Sequence, residues 1–370
     1  MATAFIAREI FTGHEIQTAK AVLVKDGKVV DIVTDTAIPA GYRQRQLAGY
    51  MLAPAFVDLQ IYGGNGLLFS AELSTQSLEA TYEYCLQGGA TQFCITVATN
   101  SIEKCVRAFD VAREYLRHGG KGLLGVHLEG PYINPAKKGA HMEKLIKKPT
   151  VEEIRFLLER GKGVFRMMTV APEQCDRECI ALLMDNGILV SAGHSNANYG
   201  QAIDGFYMGI PAATHLFNAM SPLQGREPGM VGAIYDHNEV CSSIVCDGVH
   251  VDYASVRISK KIMGDRLFFI TDAVTEVLYG EYQHVFKGDR YTLPEGTLSG
   301  SALTMLQAVK NGVEKAGIPL PEALRMAALY PAKLAGLQGQ RGTIEPGANA
   351  DFVLLDEQLN LLQVIVEGDA

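Results

Sequence analysis

Histidines and carboxylates stand at the ends of short apolar segments of the sequence, where they could bind a metal ion and move protons. Glu129 ends the segment LLGVHLE, His194 follows LVSAG, and His215 follows AAT. Two imidazoles and one carboxylate suit a divalent cation such as zinc and leave a coordination position open for water. Asp272, which follows LFFIT, could accept a proton from that water and return it. These four residues predict metal-dependent hydrolysis.

Further polar residues end the same segments and could surround such a metal. They are Asp58, Gln60, Tyr62, His127, Asn218, Asp247 and His250. A single histidine at a strand end is usually structural. Charged groups in apolar surroundings, however, cost several kcal/mol unless they are paired or bound to a metal. Several such residues at corresponding positions therefore favour a functional site.

About eight apolar segments carry these residues, and amphipathic helical patterns separate them. We predict strands at 53–60, 90–97, 122–129, 164–170, 187–193, 212–216, 242–248 and 266–271. Between them, Ser101 opens one helix, and Thr150 with Glu153 forms a capping box for another. The alternation predicts a (β/α)8 TIM-type barrel, in which the carboxyl ends of the strands form the active site. A doubly wound open sheet is the alternative.

The two ends of the chain both have β patterns. The segment AVLVKDGKVVDIV is two apolar runs joined at Asp26-Gly27, which indicates a hairpin. Residues 348–370 again show strand, turn and strand. We therefore expect a small β-sandwich domain built from residues 1–51 and 339–370, with the metal-dependent barrel over 52–338.

Composition excludes several classes of protein. The 370 residues carry a net charge of −8, which argues against nucleic-acid binding because phosphate backbones need a cationic face. No apolar run approaches the ~18 residues of a membrane span, so no membrane partner is expected. No signal peptide is visible, and the seven cysteines are scattered without a CxxC pair. A reduced, cytoplasmic protein is the expectation.

Two pairs of motifs connect the sequence to a known family. HLEGP at 127–131 is followed by KGAH at 138–141, and THLFNAM at 214–220 is followed by GREPG at 225–229. With these motifs the chain resembles the amidohydrolase superfamily, and within it the N-acetylglucosamine-6-phosphate deacetylase family. The resemblance covers essentially the whole chain.

The resemblance implies hydrolysis of the N-acetyl group of N-acetylglucosamine 6-phosphate, with Asp272 as proton shuttle and His141 either polarising the acetamide carbonyl or holding the sugar. It implies that Arg226, His250, Asn218 and the backbone of Ala219 bind the phosphate. Further substrate-binding residues implied by it are Gln60, Ala140, Leu298, Ser299 and Gly300. The substrate partner is thus a small phosphosugar, and the resemblance implies a homodimer in which Arg226 reaches the neighbouring active site.

The chain departs from the superfamily at one motif. Amidohydrolases commonly have HxH after the first strand, and here Gln60 and Tyr62 occupy those positions. We therefore expect one divalent metal per subunit, Zn²⁺ first, although Fe²⁺ and Co²⁺ accept the same ligands. Two alternatives remain: another amidohydrolase, such as a dihydroorotase-like enzyme or an amino-acid deacetylase without a phosphate site, and a barrel homologue without catalytic activity.

Overall fold

The computed structural model describes residues 2–369, and its centre is one sheet of eight parallel strands. The strands are Phe56–Ile61, Ala90–Ala98, Leu123–Glu129, Phe165–Val170, Leu189–Ala192, Ala212–Ala213, Cys241–Ile244 and Leu267–Phe269. Each strand pairs with the next one along the chain. The sheet closes on itself after the last strand, where the Asp272 N–H donates to the Gln60 carbonyl at 3.0 Å and Ala273 bridges Ile61. The predicted barrel is confirmed, and the open-sheet alternative is wrong.

Helices alternate with these strands, as the sequence predicts. They are Phe69–Glu72, Thr75–Gln87, Ile102–Arg117, Val151–Arg160, Arg177–Asp185, Tyr199–Tyr207, Gly229–Asp236 and Tyr253–Met263. Short 3-10 turns occur at Asp35–Ala37, Pro135–Lys137, Glu143–Leu145, Pro172–Gln174 and Gly264–Arg266. Ser101 caps its helix as predicted. At Thr150 only half of the predicted capping box forms, because the Glu153 carboxylate instead accepts hydrogen bonds from Tyr132 and Lys147.

Short strands extend the barrel unit beyond the carboxyl ends of the first and last barrel strands. Gly63–Gly64 pairs with Leu67–Leu68 after the first barrel strand. After the last barrel strand, Val285–Phe286, Arg290–Thr292 and Leu298–Ser301 form an antiparallel sheet of three strands. No helix among residues 2–369 is both long and apolar enough to cross a membrane.

Both ends of the chain contribute to a separate β-sandwich. One sheet consists of Lys28–Thr34, Lys20–Lys25, Ala2–Ile6 and Arg43–Gln46, and the other of Leu361–Ile365, Phe352–Leu355, Met51–Pro54, Glu9–Phe11 and Ile16–Thr18. Phe5 and Val22 from the first sheet share one buried core with Leu52 and Phe352 from the second. The predicted Asp26-Gly27 hairpin is confirmed, and both of its turn residues have positive φ angles, 50° and 74°.

The chain divides into two compact units. One comprises Asp58–Tyr84 and Gln92–Leu303, and the other comprises the chain up to Val57, Cys85–Thr91 and the chain from Thr304 onward. The second unit contains the sandwich and the helices Met305–Glu314, Leu320–Ala327 and Leu329–Leu334. The predicted barrel domain, 52–338, includes the stretch of chain that forms these three helices. The predicted domain boundaries stay a prediction.

Candidate active site

The three predicted metal ligands converge at the carboxyl end of the barrel. Glu129 Oε1 lies 3.0 Å from His215 Nε2 and 3.4 Å from His194 Nε2. The two Nε2 atoms are themselves 3.2 Å apart. All three side chains are buried. Because three donor atoms of the kinds that zinc prefers lie this close together, the residues fit a single divalent cation.

His141 also belongs to this buried cluster, since its ligand atom lies within 4.8 Å of those of Glu129 and His194. Hydrogen bonds distinguish the two imidazoles. His194 Nδ1 faces the Lys137 carbonyl at 2.9 Å, so it must carry the hydrogen and leave a lone pair on Nε2. His141 Nδ1 instead accepts the Thr99 backbone N–H at 3.2 Å, which leaves its hydrogen on Nε2. His194 is therefore arranged as a metal ligand and His141 as a hydrogen-bond donor.

The electrostatics of the cluster depend on Glu129. Burial alone would raise the pKa of Glu129, but His194, His141 and His215 outweigh burial and hold that pKa well below its usual range. Burial alone would likewise lower the pKa of His215, but Glu129 raises it. His215 Nδ1 is buried without a hydrogen-bond partner among the described residues. An ionised carboxylate beside three imidazoles offers the donor atoms that a divalent cation prefers.

Three of these functional residues have unusual backbone conformations. His194, His215 and Asp272 have φ angles of 47°, 38° and 54°, in the left-handed region that L-residues rarely adopt. Such conformations cost of order 1–3 kcal/mol each and concentrate at functional sites. Each residue lies two or three residues beyond the end of its barrel strand, so the turn directs the side chain into the mouth of the barrel instead of continuing the pleat.

Asp272 lies beside the metal cluster as a separate carboxylate. Its Oδ1 accepts a hydrogen bond from Gln60 Nε2 at 2.8 Å, and its Oδ2 lies 3.8 Å from His250 Nε2. Burial, and then the charge of Glu129, raise the pKa of Asp272, against the opposing influence of His215. His250 is itself oriented by Asp247, whose Oδ2 lies 2.6 Å from His250 Nδ1. This carboxylate is therefore placed to exchange a proton beside the cation site.

Neutral donors fill the positions of the HxH motif. Gln60 Nε2 donates to Glu129 Oε1 at 2.9 Å, and the Tyr62 hydroxyl donates to Glu129 Oε2. Burial, reinforced by Glu129 and Asp272, keeps the pKa of Tyr62 well above its usual value, so the phenol stays protonated. Neither residue is arranged to bind a second cation.

A cavity of about 280 Å³ opens over this cluster. The predicted site residues that line it are Glu129, Ala140, His141, His194, His215, Asn218, Ala219, His250, Asp272, Leu298, Ser299 and Gly300. Gln60 lies buried behind Glu129 and Asp272. Arg226 is exposed and does not line the cavity of its own chain. The structure thus brings together all the predicted residues except Arg226.

Two predicted supporting residues have specific partners. Asp58 accepts a hydrogen bond from the Thr271 hydroxyl at 2.5 Å and so fixes the segment before Asp272. His127 was expected to support a ligand, but its ring contacts the Leu59 carbonyl and Thr169 inside the barrel. Burial lowers the pKa of His127 to about 4, so this imidazole is a neutral part of the barrel interior.

Sequence reasoning missed part of the cavity wall. His284, for which no role was predicted, lines the cavity. Its Nδ1 forms a hydrogen bond with Ser299 Oγ at 2.9 Å. Leu68, Val274 and Tyr282 also line it. These residues lie in loops after the first and last barrel strands, and no local pattern marks them. Strand eight lies beside strand one in the closed barrel. This position is the only signal that the segment after strand eight covers the site.

Comparison with known proteins agrees with this geometry. Residues 51–370 match the Amidohydrolase family. The N-acetylglucosamine-6-phosphate deacetylase of Haemophilus influenzae is 35% identical over 379 residues, which cover 100% of this chain and 99% of that protein. An N-acetylgalactosamine-6-phosphate deacetylase of a Shewanella species is 32% identical, with 98% and 94% covered.

A solved structure gives the same result. The crystal structure of N-acetylglucosamine-6-phosphate deacetylase from Pasteurella multocida superposes with a TM-score of 0.95 at 35% identity, covering 100% of this chain and 99% of that one. The agreement extends over the barrel and the sandwich alike, because nearly all of both chains is matched. The chain therefore belongs to the amidohydrolase family and, within that family, to the N-acetylglucosamine-6-phosphate deacetylases.

Proposed function

We propose that the protein hydrolyses the N-acetyl group of N-acetylglucosamine 6-phosphate, giving acetate and glucosamine 6-phosphate. The observation that carries this proposal is the convergence of Glu129, His194 and His215 beside a separate buried carboxylate, Asp272. A divalent cation held by the first three residues supplies a Lewis acid that lowers the pKa of water. We propose one such ion per subunit, zinc by preference, since iron(II) and cobalt(II) accept the same ligands.

The residues of the chain carry out the remaining steps. Asp272 accepts a proton from the attacking water and returns it to the nitrogen as the C–N bond breaks. His141 carries its hydrogen on Nε2, which lies 3.1 Å from Glu129 Oε2 in the structure. During the reaction this N–H donates to the acetamide oxygen, where negative charge develops. Gln60 donates to both Glu129 and Asp272 and so fixes the positions of the two carboxylates relative to each other. Water adds across the amide, and the products are a carboxylate and a protonated amine.

The same cavity contains the residues that we propose as phosphate ligands. We assign phosphate contacts to His250, Asn218 and the backbone N–H of Ala219, which all line the cavity. The Ala219 N–H donates to no other group among the described residues. We assign sugar contacts to Ala140 and to the strand that contains Leu298, Ser299 and Gly300. No Lys or Arg occurs among the described residues that line the cavity, so this lining by itself offers a phosphate dianion no permanent cation.

This absence supports a homodimer in which Arg226 reaches the neighbouring active site. Arg226 is exposed in a loop after the sixth strand, and a guanidinium binds phosphate oxygens in a bidentate manner. Mixing Arg226→Ala and Asp272→Asn subunits tests the proposal. Activity should recover, because the hybrid then contains one site with an intact Asp272 and an intact Arg226 from its neighbour. If Arg226 acts within its own chain, mixing restores nothing.

The substrate is tested by acetate release from the purified, metal-loaded protein. N-acetylglucosamine with and without the 6-phosphate distinguishes this activity from that of an amidohydrolase without a phosphate site. N-acetylgalactosamine 6-phosphate, the substrate named for the Shewanella relative, tests the second sugar. Elemental analysis and reversible inactivation by a chelator test the metal. We also propose a cytoplasmic location, supported by seven cysteines that are all free thiols; cell fractionation tests it.

A further inference from the structure

The catalytic cavity is chemically divided into two halves. One half is apolar and consists of Tyr62, Leu68, Ala98, Val274 and Tyr282, which all line the cavity. These side chains also pack together as one apolar cluster beneath the opening. These five residues lie at or beyond the carboxyl ends of barrel strands one, two and eight. The three strands are neighbours around the closed barrel.

The other half is mostly polar and comes from strands three, five, six and seven together with the segment after strand eight. Its side chains include His141, His194, His215, Asn218, His250, His284 and Ser299. A phosphorylated sugar is hydrophilic over nearly its whole surface, so it matches this half. The apolar half has no counterpart in the sugar or the phosphate. It requires a small apolar group on the substrate, and the acyl methyl is the one that the proposed substrate has.

The two halves meet at the reacting residues. The Tyr62 hydroxyl donates to Glu129 Oε2, so its ring begins the apolar wall directly beside a metal-binding carboxylate. The methyl carbon of the acetyl group is bonded directly to the carbonyl carbon that water attacks. An acyl group must therefore start at this boundary, and the apolar wall lies next to it.

We propose that this apolar half is the acyl pocket of the enzyme and that Leu68 and Val274 limit the acyl group to acetyl. This inference rests on the proposed function and identifies the acyl group as the part of the substrate that the pocket selects. Leu68 is 1% exposed and Val274 is 4% exposed, so both side chains are packed inside the protein. Val274 is held by Gly300, where an added Cβ would lie 2.6 Å from Val274 Cγ1. One extra methylene must therefore overpack the pocket.

The test compares acyl groups on one enzyme sample. We would measure kcat/KM for the N-acetyl, N-propionyl and N-butyryl forms of glucosamine 6-phosphate. The wild type should prefer acetyl over propionyl by about tenfold or more, as expected for overpacking by a methylene. Leu68→Ala and Val274→Ala should each reduce that preference by about tenfold, since they create the missing space. The ratio does not depend on the fraction of folded enzyme, because both substrates meet the same sample.

Leu157→Ala is the matched control. Leu157 is fully buried in the helix Val151–Arg160 and does not line the cavity, so the same truncation there should leave the acyl preference unchanged. If an alanine variant does not fold, Leu68→Val removes a single methylene and tests the same wall.

Two results would overturn the acyl pocket. One is a wild type that accepts propionyl as well as acetyl, and the other is an unchanged preference in both alanine variants. A failure of the proposed function looks different, because the metal-loaded wild type would then release no acetate from the acetylated phosphosugar.

Discussion

At the catalytic end of the barrel, a carboxylate is buried among imidazoles, and His194, His215 and Asp272 have left-handed backbones. In the terminal β-sandwich, the core is formed by apolar side chains such as Phe5 and Phe352, whose rings meet edge to face with centroids 6.0 Å apart. The first region buries charge and has unfavourable backbone conformations at its reacting residues, whereas the second has such conformations at turns such as Asp26 and gains free energy from apolar burial. The difference indicates that the barrel mouth is organised for chemistry and the sandwich for stability. Substitutions should therefore affect activity in one region and stability in the other.

The largest effect is expected at Asp272. Asp272→Asn keeps the shape of the side chain but cannot accept or return a proton, so kcat should fall at least about a hundredfold. Metal content should stay near one ion per chain, and the thermal midpoint should not fall. Kinetics, elemental analysis and a thermal scan on the same preparation check this. Asp265→Asn, at an exposed carboxylate of the same unit, should behave like the wild type.

Two outcomes would contradict this assignment. Near-normal activity of Asp272→Asn would mean that the proton passes through another group, such as His141. Loss of the metal would make Asp272 a ligand, and the separation between the cation site and the proton shuttle would then be wrong.

The sandwich should give the opposite result. Phe352 is fully buried, so Phe352→Ala should lower the free energy of unfolding by about 3–5 kcal/mol, with kcat/KM per folded molecule unchanged. Chemical denaturation and active-site titration measure the two quantities. Phe352→Leu, which keeps more of the volume, should cost less than the alanine variant. A change in kcat/KM that matches the loss of stability would show that the two regions are not separate in function.

An intermediate effect is expected at Arg226. Arg226→Ala should lower kcat/KM about tenfold to a hundredfold, mainly through KM, because a charged hydrogen bond to the phosphate is lost. The loss should shrink for the substrate without phosphate. An equal loss of kcat/KM on both substrates would show that Arg226 does not bind the phosphate. Arg257→Ala, at an exposed arginine of the same unit, is the control and should change neither constant.

The smallest effect is expected at a helix cap of the barrel. Ser101 accepts the Lys104 N–H, and Ser101→Ala should lower the stability by about 0.5–2 kcal/mol without a change in kcat. Ser101→Asp keeps an acceptor at the cap and should restore most of that stability. An altered kcat in Ser101→Ala would connect this helix to the catalytic end.

Much of the fold could be predicted because its causes are local. Apolar strands, the Asp26-Gly27 turn and the Ser101 cap depend on residues close together in the chain, and the barrel follows from the alternation of strands and helices. The ligand set could also be predicted, since the strands of a parallel barrel end at one rim and so bring Glu129, His194 and His215 together. The family motifs supplied His141 and the residues that we propose to bind the phosphate.

Other properties depend on contacts between distant segments, and only the tertiary structure decided them. The hydrogen of His141 is on Nε2 because Thr99, which is 42 residues away, donates to Nδ1. His284 and Val274 line the cavity because strand eight closes against strand one, which brings their loop over the cavity. The sequence by itself determined which residue types stand at the strand ends. The protonation, the cavity wall and the division into polar and apolar halves arose only when the barrel closed, because each depends on distances between segments that the order of residues does not contain.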